Sequence, residues 1–195
     1  MSARFYDFLL PIVRALFALA YPLRVSGAEN IPKEGGFVLC ANHVHALDPF
    51  ALAAACHGRR LRFLAKAELF QKPLSAKFFS GIGAFPVRRG ETDLGAIRQS
   101  IKILSDGHAL GIFPQGTRSR ENDRTHMETG VALIALRSGK SVVPAYIDGP
   151  YRLFKRTRIL LGEPVSLLDL GRDFDRDALA QATGRIEEAI WKLKS

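Results

Sequence analysis

Cysteine is nearly absent from this 195-residue chain, with Cys40 and Cys56 its only copies. Two thiols build no disulfide framework, and their spacing suits no metal site. Their scarcity fits a reducing compartment. Tryptophan occurs once and methionine twice. No long charge-free apolar run exists either. The apolar N-terminal stretch is interrupted by Asp7, Pro11 and Arg14. A spanning helix wants ~20 predominantly apolar residues. No Gly-x-Ser-x-Gly elbow is present, which argues against a serine hydrolase of that class. Gly139-Lys140-Ser141 imitates the end of a P-loop, but Ile134 stands where the motif requires Gly. Asp173, Asp175 and Asp177 imitate the start of an EF-hand, but Ala178 and Gly184 replace its Gly and its final Glu. His45, His57, His108 and His126 have no metal-ligand pattern.

What is plentiful is positive charge: 28 Lys and Arg against 19 Asp and Glu, a net charge of +9. That excess points to an anionic partner, whether nucleic acid, anionic lipid or a phosphorylated substrate. The basic residues are scattered, with short clusters at Arg59–Arg62, Arg88-Arg89 and Lys155–Arg158. Without a basic tail or a nucleic-acid module, lipid or phosphorylated substrate is the better reading. Apolar residues make up 47% of the chain, enough for one domain with a real core.

Residues 1–26 read as an interfacial segment, its aromatics in lipid and Arg4, Arg14 and Arg24 near headgroups. A helix docked on the protein's own core is the alternative. Residues 27–195 read as one domain, its motifs falling at about 37–150. Strands are predicted at 37–41, 61–65, 84–87, 109–113, 142–147 and 159–161, with helices at 49–56, 92–106, 129–138 and 175–194. Pro144 marks its strand as an edge or a bulge. Asp48 reads as the N-cap of the 49–56 helix, with Pro49 at its first position. Strands alternating with helices predict an α/β fold.

His43 and Asp48, in Asn42-His43-Val44-His45-Ala46-Leu47-Asp48-Pro49, are the most chemically suggestive pair. Five residues is too far for neighbours on one helix face. The spacing suits a strand-to-helix turn, with an imidazole able to take a proton near neutral pH and a carboxylate orienting it. A satisfied structural pair would read the same way in isolation. Phe113-Pro114-Gln115-Gly116-Thr117-Arg118-Ser119 also follows an apolar strand. Its Gly permits close backbone approach and Arg118 can grip phosphate, although a plain turn has the same composition. Gly83-Ala84-Phe85-Pro86-Val87-Arg88-Arg89 ends a strand on two arginines, either an anion site or solvated charge.

Taken in order with Val143-Pro144, these motifs resemble the glycerolipid acyltransferases that acylate lysophosphatidic acid. The match covers about residues 25–150. The resemblance implies a single-domain mixed sheet flanked by helices, with an N-terminal membrane-docking segment. It implies that His43 is the general base and Asp48 its orienting partner. Arg88 and Arg118 would hold the acceptor phosphate, with Lys66 a further basic residue nearby. Gln115, Gly116 and Thr117 would shape the substrate-binding loop, and Pro144 matches a motif linked to the donor side. The family usually carries Glu where this chain has Gln115. Gln keeps the acceptor oxygen and loses the charge, so the change matters only if that charge does.

The implied reaction moves a fatty acyl group from acyl-CoA or acyl-carrier protein to the sn-2 hydroxyl of 1-acyl-sn-glycerol-3-phosphate, making phosphatidic acid. It needs no metal or cofactor, because a thioester is already activated. The implied location is peripheral, on the cytoplasmic face of a membrane, with an anionic bilayer as partner and no nucleic acid. An acyltransferase for glycerol 3-phosphate or another lysolipid, and a silent basic membrane-binding protein of the same fold, are the alternatives.

Overall fold

Phe37–Ala41 is the strand on which the molecule is organised. Its five residues, Phe-Val-Leu-Cys-Ala, are all fully buried. A strand apolar at every position must be covered on both faces. Val38 and Cys40 point into one core, while Phe37, Leu39 and Ala41 point into a second. The sheet therefore lies between two helical layers, in an α/β domain.

The computed structural model describes residues 3–88, 93–116, 127–171 and 175–194, with side chains from residue 5 onward. Seven strands form one sheet: β1 (Leu23–Ser26), β2 (Phe37–Ala41), β3 (Leu61–Lys66), β4 (Ala84–Val87), β5 (Ala109–Ile112), β6 (Val142–Asp148) and β7 (Thr157–Leu161). Their spatial order is β1-β7-β6-β2-β5-β3-β4. Every pairing is parallel except β6 with β7. Helices α4 (Leu94–Ser105), α5 (Gly130–Ser138) and α6 (Arg176–Lys192) cover one face, and α1 (Ala3–Leu19) and α2 (Asp48–Ala55) the other. Helix α3 (Pro73–Gly81) leads into β4.

The periodic helices form where their apolar residues predict. In α4 the buried residues Ala96, Ile97, Ser100 and Leu104 share one face. Asp93 caps its N-terminus by accepting from Ala96 N–H at 3.0 Å. Asp175 does the same for α6 through Ala178 N–H at 2.7 Å.

Several expectations change. Pro144 does not mark an edge, because β6 is an interior strand between β7 and β2, but it does adjoin a bulge: Ala145 pairs with Leu161 and Val142 with Val165, so the partner segment carries one extra residue there. The ring is tolerated because Pro144 stands at the end of the β6–β7 ladder, where its carbonyl accepts from Gly162 N–H at 2.8 Å. Only one bond is forgone, where the register shifts. Strand β1 falls inside the stretch read as an interfacial segment, and helix α3 was not foreseen. Helix α1 packs on the core, as the alternative reading of the N-terminus had it, and also leaves apolar residues exposed. Tyr6 and Phe17 are buried on the core, while Phe8, Ile12, Leu16 and Leu19 face outward. Among the described residues no helix is long and apolar enough to cross a membrane.

Candidate active site

Parallel strands all end on the same edge of a sheet, and the turns beyond them gather there. In the order β2-β5-β3-β4 these carboxyl ends lead to His43, to Phe113–Gly116, to Lys66 and to Arg88 in turn. Residues as far apart as His43 and Gln115, 72 positions, are thus neighbours along one rim. Lys66 is level with Val87 in the β3–β4 register, so Lys66 and Arg88 leave adjacent strands side by side, both exposed. Arg88 N–H donates to Asp93 Oδ2 at 2.9 Å, tying the turn after β4 to the start of α4. Thr117 and Arg118 lie outside the described residues.

His43 Nδ1 lies 2.7 Å from Asp48 Oδ2. The same oxygen accepts from Val44 N–H at 2.7 Å and His45 N–H at 2.8 Å. Asp48 is fully buried, and a carboxylate can be held there because these donors replace water. Asp48 does not cap α2 as its position suggested. It is the first residue of the helix, Leu47 is the cap, and the carboxylate turns back into the His43–His45 loop. A carboxylate facing Nδ1 places the ring hydrogen there, which leaves Nε2 as the basic nitrogen. The His43 side chain is 12% exposed, so it is largely enclosed.

The ring is held from below as well. Phe113 stacks on His43 with centroids 4.2 Å apart, and Phe63 stacks on Phe113 at 6.1 Å. Gly111 makes this pile possible, since a Cβ there would run into the Phe63 ring. The backbone is pinned by two amides. Asn42 donates Nδ2–H to Ile147 O at 2.9 Å and accepts Ile147 N–H on Oδ1 at 2.7 Å, carrying the sheet bonding one residue past β2. Gln115 Oε1 accepts His43 N–H at 3.0 Å. Gln115 is itself buried, so its oxygen braces the histidine loop. Gly116, at φ 64°, then turns the chain out of the β5 loop in a conformation few other residues adopt.

Tyr151 is a neighbour that motif reading missed. Burial, with the Asp48 carboxylate second, pushes its phenol well above the ordinary value. Its hydroxyl sits beside Asp48 yet falls short of full hydrogen-bond geometry, and neither it nor Asp48 Oδ1 completes a bond. Nothing in the sequence signals this approach across about 100 residues. His45 serves the local structure of the loop. Its Nδ1 accepts Leu47 N–H at 3.2 Å and its ring leans on Tyr151.

An apolar crevice opens beside the dyad, between α1 and α2. Leu10, Val13, Pro49, Phe50, Ala53 and Phe63 are among its walls. Pro49 and Phe50 directly follow Asp48, and Phe63 is the base of the stack under His43. The cysteines take no part. Both are buried, and burial pushes the Cys56 thiol up to about 12.

A buried His–Asp pair and basic residues along one rim of an α/β sheet are the groups that acid–base chemistry uses. Comparison with known proteins makes the class definite. The sequence model of the acyltransferase family matches residues 22–148, which spans all the motifs of the rim. The 1-acyl-sn-glycerol-3-phosphate acyltransferase of Bacillus subtilis is 30% identical over 195 residues, covering 97% of each chain. That of Borreliella burgdorferi is 32% identical over 144 residues, 72% of this chain and 56% of its own. The crystal structure of the 1-acyl-sn-glycerophosphate acyltransferase PlsC from Thermotoga maritima superimposes with a TM-score of 0.70 at 23% identity, covering all of this chain and 84% of that one. The chain belongs to the acyltransferase family and is an O-acyltransferase.

Proposed function

We propose that this enzyme transfers a fatty acyl group from a thioester donor to the sn-2 hydroxyl of 1-acyl-sn-glycerol-3-phosphate, yielding phosphatidic acid. The observation that carries the reading is the dyad: His43 Nδ1 on a fully buried Asp48, with Nε2 left to act as base. The acceptor hydroxyl gives its proton to Nε2 as its oxygen bonds to the thioester carbonyl carbon. Asp48 steadies the imidazolium that forms. The tetrahedral intermediate then expels the sulfur, which takes the proton from His43 and departs as a thiol. Lys66 and Arg88, adjacent on the rim, suit the acceptor phosphate, and Arg118 is assigned there on its motif. The crevice, apolar and walled in part by Pro49 and Phe50, the residues that follow Asp48, is assigned to the acyl chain. The outward apolar row of α1 supports docking on the bilayer that holds the acceptor.

The test is acyl transfer by the purified protein in mixed micelles, with lysophosphatidic acid offered against glycerol 3-phosphate and other lysolipids. Conversion of lysophosphatidic acid to phosphatidic acid should dominate. His43→Ala should lower the rate by about 10²–10⁴ through loss of the base. Preference for another acceptor would overturn the substrate assignment, and full activity of a folded His43→Ala protein would overturn the mechanism.

A further inference from the structure

We propose that loop 151–156, between β6 and β7, is a second membrane-insertion element that seats Leu153 and Phe154 in an anionic bilayer. This rests on the proposed reading of the site as one that acts on a bilayer lipid.

Leu153 is 59% and Phe154 77% exposed, an expensive placement for two large apolar side chains in water. Cations surround them. Arg152, Lys155 and Arg156 are all exposed, and their side chains make no ion pair or hydrogen bond among the described residues. Three arginines of the basic clusters, by contrast, are engaged within the molecule. Arg158 pairs with Asp148 and Arg60 with Asp7, while Arg59 donates to the carbonyls of Pro32, Gly35 and Gly107. An apolar tip ringed by unpaired cations is complementary to lipid tails beneath anionic headgroups.

The loop is also presented rigidly. Phe154 has φ 60°, an unusual and strained conformation for a bulky residue, with its side chain turned to solvent rather than into the core. Its N–H donates to Ala20 O at 2.8 Å, which fastens the tip to the end of α1. Tyr151 anchors the loop base against the rings of Phe17 and Tyr21. The loop therefore extends the outward row of α1, which ends at Leu19, 76% exposed. Tyr151 also touches His45 and faces Asp48. A bilayer contacted by both the loop and α1 would therefore lie near the His43–Asp48 loop.

The experiment is co-sedimentation with phosphatidylcholine vesicles, with and without phosphatidylglycerol. Leu153→Ser with Phe154→Ser should weaken binding to both vesicle types on the order of tenfold. Neutralising Arg152, Lys155 and Arg156 to Gln should cost about fivefold per charge on anionic vesicles only, an effect that salt erases. Phe154→Gly separates docking from folding. It relieves the positive φ, so thermal stability should hold or rise while vesicle binding falls. Unchanged partitioning of these variants, or a wild-type protein that ignores both vesicles, would overturn the proposal. So would a change confined to self-association in gel filtration. The readout involves no acyl transfer. A protein that binds vesicles through the loop but acylates no lysolipid would refute the substrate assignment and leave the docking standing.

Discussion

Gln115 departs from the residue usual in the family, and its contact explains why the departure is tolerable. The oxygen that accepts His43 N–H is common to Gln and Glu, so the brace does not depend on a charge. Gln115→Glu should retain most acyl transfer. Gln115→Leu keeps similar bulk but leaves His43 N–H unpaired, which costs about 1–3 kcal/mol and loosens the base. Thermal unfolding and transfer rate should both fall for Leu and hold for Glu. If Leu matches wild type in both, the brace is unimportant. Asp48 teaches a different lesson at the same scale. Its position before Pro49 suits a helix cap, yet its carboxylate faces backward onto three nitrogen donors, because a fully buried charge must be satisfied.

Among the elements, α4 and α2 carry the sharpest consequences. Asp93 both caps α4 and receives Arg88 N–H, and these backbone bonds hold its carboxyl below the ordinary carboxylate range. A depressed folded value means the stabilisation is present at neutral pH and is lost as pH falls through that lowered range. Asp93→Ala should cost about 1 kcal/mol of stability at pH 7, with the gap from wild type closing in acid. A gap that stays constant with pH would refute this. In α2, Ala53 faces the crevice proposed for the acyl chain. Ala53→Leu should shift preference toward shorter acyl thioesters in a competition assay. An unchanged chain-length profile in a folded variant would place the chain elsewhere. Helices α4 and α6 repeat a period long enough to detect, and β2 is an unbroken apolar run. Strand β1 has only four residues, and α3 exposes Leu74 and Phe78, so neither presents a readable apolar face.

For the whole molecule, the two faces of α1 join the core to the surroundings. Removing the helix would remove Tyr6 and Phe17 from the interior, so truncation confuses folding with docking. Phe17→Ala alone should cost about 3–5 kcal/mol. Phe8→Ser, Ile12→Ser and Leu16→Ser together alter only exposed positions and should leave thermal stability nearly unchanged while releasing the protein from vesicles. A large stability loss in the triple variant would show that the outward row is internal packing after all. The basic surplus resolves in the same way. Arg59 and Arg60 serve the fold, whereas Lys66, Arg88 and loop 151–156 present charge to the outside.

The order of elements, the doubly buried β2 and the His43–Asp48 spacing are local properties, and hydrophobic period and turn chemistry express them along the chain itself. Strand order, the direction of the Asp48 carboxylate, the pile of Phe63 and Phe113 under His43, and the approach of Tyr151 arise between segments far apart in sequence. No local period encodes them. They depend on which strands become neighbours, and that choice follows from burying both faces of one sheet at once.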